Sequence, residues 1–316
     1  MDKSKIEPRV LELLGKLEKK FDSMGQDLSS YLDGLLYSDY LTYWDYIHLD
    51  TLLSLQNPRT GFPDEKIFIM YHQITELYFN LIIHEIEQIQ EKEDQDKAWF
   101  LKRIRRVNRY FKHLVDSFDI MVDGMDQEQF LAFRMSLLPA SGFQSVQYRE
   151  IEIMSTDFRY LTKTRKESDG TIPELFEDIY WRMGATELAS GKKTLTLRQF
   201  EAKYSERLIK LGEEMKHVNL YRLYRDHFDE DDDIRSALRE FDSLANVNWP
   251  LAHYKSAVRY LNQDPIIISA TGGTNWQKYL PPRFQKVSFY PELWSEKEME
   301  EWGKGWVIDT LAQNYA

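Results

Sequence analysis

Residues 64–79 read DEKIFIMYHQITELYF, and the spacing of side chains within them decides the fold class. Phe68, His72, Thr75 and Phe79 stand at i, i+4, i+7 and i+11, which share one face of an α-helix but not one face of a strand. Three- and four-residue apolar spacing continues through Lys66–Ile89. It recurs over Val10–Phe21, Tyr46–Leu55, Trp99–Met121 and Leu195–Leu211. Alternating runs joined by hairpin turns are scarce, so the chain is expected to be all-α. Punctuation falls at Asn57–Pro63, at Pro139-Ala140-Ser141-Gly142, at Ser168-Asp169-Gly170 and at Gly272-Gly273. None of these is long enough to join independent domains, which predicts one bundle-like domain over residues 1–316. The acidic run Asp229–Asp233 is expected to cap a helix starting near Ile234, where carboxylates meet the positive end of the helix dipole.

Composition narrows the functional classes. A chain of 316 residues with 42% hydrophobic residues can bury a substantial core. The 41 Lys and Arg against 52 Asp and Glu leave a net charge of −11, and the basic residues are dispersed. Neither property suits a phosphate backbone, so nucleic acid is not expected as a partner. No run approaches the roughly 20 apolar residues of a membrane helix, and the opening MDKSKIEPRV lacks an apolar signal core. A soluble, cytoplasmic protein without membrane contact is expected. With no cysteine there is no disulfide, no thiolate ligand, no cysteine nucleophile and no CxxCH haem attachment.

Metal chemistry must therefore rest on histidine and carboxylates. The histidines are His48, His72, His84, His113, His217, His227 and His253. Only Glu214–His217 has the Glu-x-x-His spacing that a helical di-iron site needs twice, and His-Glu-x-x-His is absent. A single axial histidine on a haem needs one imidazole only, because the porphyrin supplies the other four nitrogens.

Five places could carry a site, the first three with a plainer reading beside them. His72 emerges from an aromatic face, either as a ligand-facing group or as a core histidine satisfied by Glu76 one turn on. Arg134 lies four residues after Phe130, either gripping a carboxylate bidentately or solvated at the surface. Ser141 and Gln144 fit a capping box opening a helix over Phe143–Ile153, which competes with a functional role for Ser141. His253 sits in WPLAH (249–253), with Pro250 placed to occupy the first turn of a new helix. The glycine loop Ser269–Thr274 permits close backbone approach to a ligand but lacks the lysine of a phosphate loop.

The order of these signals resembles the tryptophan 2,3-dioxygenase family. Three blocks carry the likeness: LTYWDYIHLDTLLSLQ (41–56); Asp64-Glu65 with FIMYHQITEL (68–77) and His84-Glu85; and FRMSLLPASGFQSVQYREIE (133–152), the most diagnostic. The resemblance implies an all-α homotetramer with non-covalent haem b. It makes His253 the axial ligand of the haem iron and His72 the distal histidine near the indole nitrogen. Phe68 and Phe130 would wall the indole, Arg134 would bind the substrate carboxylate, and Thr271 would receive the amino-acid head. Ser141 and Gly142 would lie against the haem. Tyr43 and Tyr46, in the N-terminal segment 1–60, would reach a neighbouring subunit's pocket. The activity implied is opening of the indole ring of L-tryptophan with O2 to N-formyl-L-kynurenine. Pro250, where the family usually has Arg, and the altered stretch Asn262–Trp276 keep two other readings open. One is a haem-dependent monooxygenase of a substituted tryptophan or other aromatic amino acid; the other is a helical binding protein without catalysis.

Overall fold

The computed structural model describes residues 6–38, 42–138, 140–164, 170–185, 192–263, 266–267 and 282–303. The chain divides into two units, Met1–Gln56 and Asn57–Ala316. Helices dominate both, as expected. Among the described residues the only sheet is a two-stranded antiparallel hairpin, Asn262–Gln263 against Ile266–Ile267.

The first unit contains α1 (Pro8–Ser23), α2 (Leu28–Leu36), α3 (Tyr43–Tyr46) and α4 (Leu49–Leu53), and none of these helices buries a side chain. Asp27 caps α2 by accepting from the Ser29 and Ser30 amides. The single helix expected over Tyr46–Leu55 is interrupted. His48 adopts φ 50°, a left-handed conformation that ends α3 and starts α4.

The second unit is built on α5 (Asp64–Gln90), whose dipole is favoured by Asp64 and Glu65 in its first turn. Gln95 closes its other end, donating from Nε2 to the Ile89 and Lys92 carbonyls. Buried Ile82, Ile86 and Ile89 share one stripe and join the core with Phe100, Ile104, Val107 and Phe111 of α6 (Lys97–Ser117). Each such side chain contributes about 1.5–3 kcal/mol by leaving water. α9 (Val146–Ser155) also packs on α5, and α11 (Leu195–Met215) packs on α9.

Three boundaries differ from the periodicity. The helix expected over Trp99–Met121 stops at Ser117; Phe118 turns out of it and α7 (Asp119–Val122) follows. Apolar residues continue in phase across the break because Phe118, Met121 and Val122 all remain buried. The capping box of Ser141 and Gln144 forms, but it opens a 3-10 turn, Gly142–Gln144, and Ser145 then caps α9. Pro250 does not begin a new helix after a loop. α13 (Asp232–Ser243), capped by Asp231 within the acidic run as expected, passes through a π-turn, Leu244–Asn248, directly into α14 (Trp249–Leu261).

The buried carboxylate of Asp242 fixes the C-terminal segment to this long helix. It accepts from Ser288 Oγ at 2.6 Å, Trp294 Nε1 at 2.7 Å and the amides of Phe289 and Tyr290. Among the described residues no helix is long and apolar enough to cross a membrane.

Candidate active site

Three helices bring the predicted residues together. α5 carries Phe68 and His72; α8 (Gln127–Phe133) carries Phe130; α14 carries His253 and, seven residues on, Tyr260. Their rings form a circuit. Phe68 lies 4.1 Å from His72 and 6.2 Å from Phe130, and Phe130 lies 4.6 Å from Tyr260 on α14. On the other side Tyr71 lies 6.3 Å from His72 and 5.7 Å from Phe118, which lies 4.4 Å from His253. Apolar walls with a few convergent polar atoms are the usual make-up of a small-molecule site.

Each imidazole is oriented by its own helix. His72 Nδ1 lies 2.7 Å from the Phe68 carbonyl, and His253 Nδ1 lies 3.0 Å from the Trp249 carbonyl. A carbonyl can only accept, so in each neutral ring the proton is on Nδ1 and Nε2 carries the lone pair. The plainer reading of His72, a histidine satisfied by Glu76, is therefore corrected: Glu76 accepts instead from Gln147 Nε2 at 2.7 Å.

Burial depresses the basicity of both imidazoles. Burial holds the His253 pKa down to about 4, with a smaller lowering from the charge of His72. Burial also lowers His72, against raising influences from the Phe68 carbonyl and Glu76. Both residues are half-buried. Both histidines are neutral at neutral pH in such surroundings, so both Nε2 lone pairs are available.

Arg134 stands where α8 tightens into a 3-10 turn, Arg134–Leu137, one turn beyond Phe130. It is 3% exposed, which corrects the reading of a solvated surface residue. Burial lowers its pKa, the mark of a cation held away from water. Ser141 is half-buried, and a Cβ built on Gly142 would meet nothing within 4 Å, so open space adjoins that backbone. Tyr43 and Tyr46 belong to the first unit and are 69% and 74% exposed. Thr271 and its glycine loop lie outside the described residues.

Phe118, Tyr71 and Tyr260 were not legible as wall residues, because aromatic rings at helical spacing read equally well as core. The only hint was Tyr260 at seven residues from His253. Among the described residues no three His, Cys, Asp or Glu converge, so a metal there would draw most of its ligands from a non-protein group. His253 suits that arrangement, as a neutral imidazole with an oriented lone pair among aromatic rings.

Comparison with known proteins points the same way. A profile of the family described as tryptophan 2,3-dioxygenase matches residues 34–157. A protein of Ruegeria sp. (strain TM1040) named tryptophan 2,3-dioxygenase is 28% identical over 276 residues, covering 82% of this chain and 92% of that protein. Like-named proteins of Bacillus anthracis and Anaeromyxobacter dehalogenans (strain 2CP-C) are each 29% identical, covering 82% and 83% of this chain and 92% and 97% of theirs.

Proposed function

The chain belongs to the tryptophan 2,3-dioxygenase family, and from that premise we propose that it is the haem-dependent dioxygenase of L-tryptophan, working in the cytoplasm. The activity itself, cleavage of the indole C2–C3 bond with O2 to give N-formyl-L-kynurenine, is that of an oxidoreductase. The observation that carries this reading is the pair of histidines, each with Nδ1 committed to its own helix and joined through the rings of Tyr71 and Phe118.

His253 would hold haem b through Nε2, and Ser141 and Gly142 would lie against the macrocycle. The haem supplies the O2 chemistry when bound, while the protein supplies binding, orientation and exclusion of water. His72 Nε2, as the lone-pair nitrogen, accepts the hydrogen bond of the indole N–H. That bond fixes the ring in its own plane. Phe68 and Phe130 bracket the indole and keep water from its face, where aromatic contacts favour a flat apolar guest. Arg134 pairs with the substrate carboxylate, and Thr271 receives the head group beside it. The buried position of Arg134 strengthens such a pair, because competing water is scarce.

The N-terminal segment 1–60 would complete the site of a neighbouring subunit in a homotetramer, with Tyr43 and Tyr46 at its tip. Its support is the absence of buried side chains in the helices of that unit and the exposure of both tyrosines.

The reading is tested by loading the protein with haem, reducing it, and adding L-tryptophan and O2 while following product mass. Tryptophan plus two oxygen atoms is expected; one added oxygen atom, or none, would refute dioxygenation. In the same assay His72→Phe should retain haem and lose about tenfold in kcat/KM, the worth of one hydrogen bond of ~1.4 kcal/mol. A larger loss, accompanied by loss of haem, would assign His72 to the metal instead.

A further inference from the structure

We propose that Tyr148 is a positioning residue for His253, acting through the π-turn Leu244–Asn248. The inference rests on the reading of His253 as the haem ligand. A π-turn shifts helical hydrogen bonding by one residue, and the Trp249 amide accordingly donates to the Leu244 carbonyl. The next carbonyl, Ala245, would be served by Trp249 in an α-register or by residue 250 in a π-register. Trp249 is already committed, and Pro250 has no N–H. The Tyr148 hydroxyl, from α9, supplies the missing donor at 2.9 Å. A buried carbonyl without a donor costs about as much as a lost hydrogen bond, so this contact decides which register the turn keeps.

The turn is held on its other side as well. Asn246 Nδ2 donates to Asp242 Oδ1 at 2.7 Å, the carboxylate that also gathers the C-terminal segment. Phe79 spans the remaining gap, 5.5 Å from Tyr148 and 5.8 Å from Trp249. Trp249 is the residue whose carbonyl orients the His253 ring. A slip of one residue in the turn would rotate everything beyond it by about 100° and advance it by ~1.5 Å. His253 would then leave its seat against Phe118. Tyr148 therefore touches no reacting atom; its hydroxyl holds the axial imidazole in that seat.

Tyr148→Phe keeps the ring and removes only the hydroxyl. In the haem-loaded, reduced protein the iron–histidine stretching band should shift or split, and haem affinity should fall on the order of tenfold, the usual effect of losing an outer contact of a metal ligand. Asn246→Ala should move the band in the same sense by loosening the same turn. Pro250→Ala restores a backbone donor for the Ala245 carbonyl, so in that background Tyr148→Phe should lose most of its effect on the band. A Tyr148→Phe protein with a lower unfolding midpoint but parental band and haem affinity would overturn the proposal. So would an equal band shift with and without Pro250. A parental band in His253→Ala would instead remove the ligand reading beneath it.

Discussion

His253→Ala is expected to lose haem binding by more than about a hundredfold, since even outer partners of a metal-ligating histidine are worth ~10–100-fold. His72, the imidazole whose charge bears on His253, has its Nδ1 committed to the Phe68 carbonyl of its own helix α5 and is no ready substitute. The ring of His253 also packs 4.4 Å from both Phe118 and Trp249, so the shortened side chain leaves a slot shaped for an imidazole. Added imidazole should therefore restore haem binding to the variant, while restoring turnover incompletely because the free ligand lacks the covalent tether to α14. Titration followed by absorbance decides the matter. Parental affinity and spectrum in His253→Ala would mean that another residue holds the iron.

The second large effect concerns the amino-acid head of the substrate. Arg134→Leu should raise KM for L-tryptophan roughly ten- to hundredfold, the range for a charge-assisted hydrogen bond of about 1.5–3 kcal/mol. Because Arg134 is 3% exposed, its replacement also disturbs packing, and a rise in KM alone would be ambiguous. Tryptamine separates the causes, since it has the indole and the ammonium but no carboxylate. If Arg134 grips the carboxylate, parent and Arg134→Leu bind tryptamine alike and differ only toward tryptophan. Equal losses for the two ligands would reduce Arg134 to a structural role. Arg134→Lys should recover part of the affinity at best, because a point charge cannot reproduce the planar two-bond fork.

How much of this was legible in the sequence follows from the range of the forces involved. α5 and α11 are legible almost to their ends, because an apolar stripe specifies a helix locally and Thr194 caps the start of α11. The break at Phe118 and the π-turn before Trp249 leave no mark in the sequence, since buried residues keep three- and four-residue spacing across both. Pro250 reads as a first-turn proline of a new helix; it does stand in the first turn of α14, but beyond a shift of register within a continuous helix. That choice depends on Tyr148 and Asp242, whose contacts join distant parts of the chain. The site residues Phe68, His72, Phe130 and His253 were picked out by family likeness, and the fold places their rings in one circuit. The burial of Arg134 could not be foreseen, because its seat depends on how α8 packs rather than on its neighbours in sequence.

The carbonyls that orient the two imidazoles belong to positions 68 and 249. A main-chain acceptor is present whatever side chain its residue carries, so the aim of both rings is inherited with the helical backbone and not with any particular neighbour. Lineages descending from a common ancestor can then exchange much of the surrounding wall, and with it the preferred guest, without re-inventing the geometry of the pair. At 28–29% identity to its relatives, this chain has had ample room for such drift. A saturation library over the wall should accordingly yield many variants that keep the haem signature and far fewer that keep tryptophan.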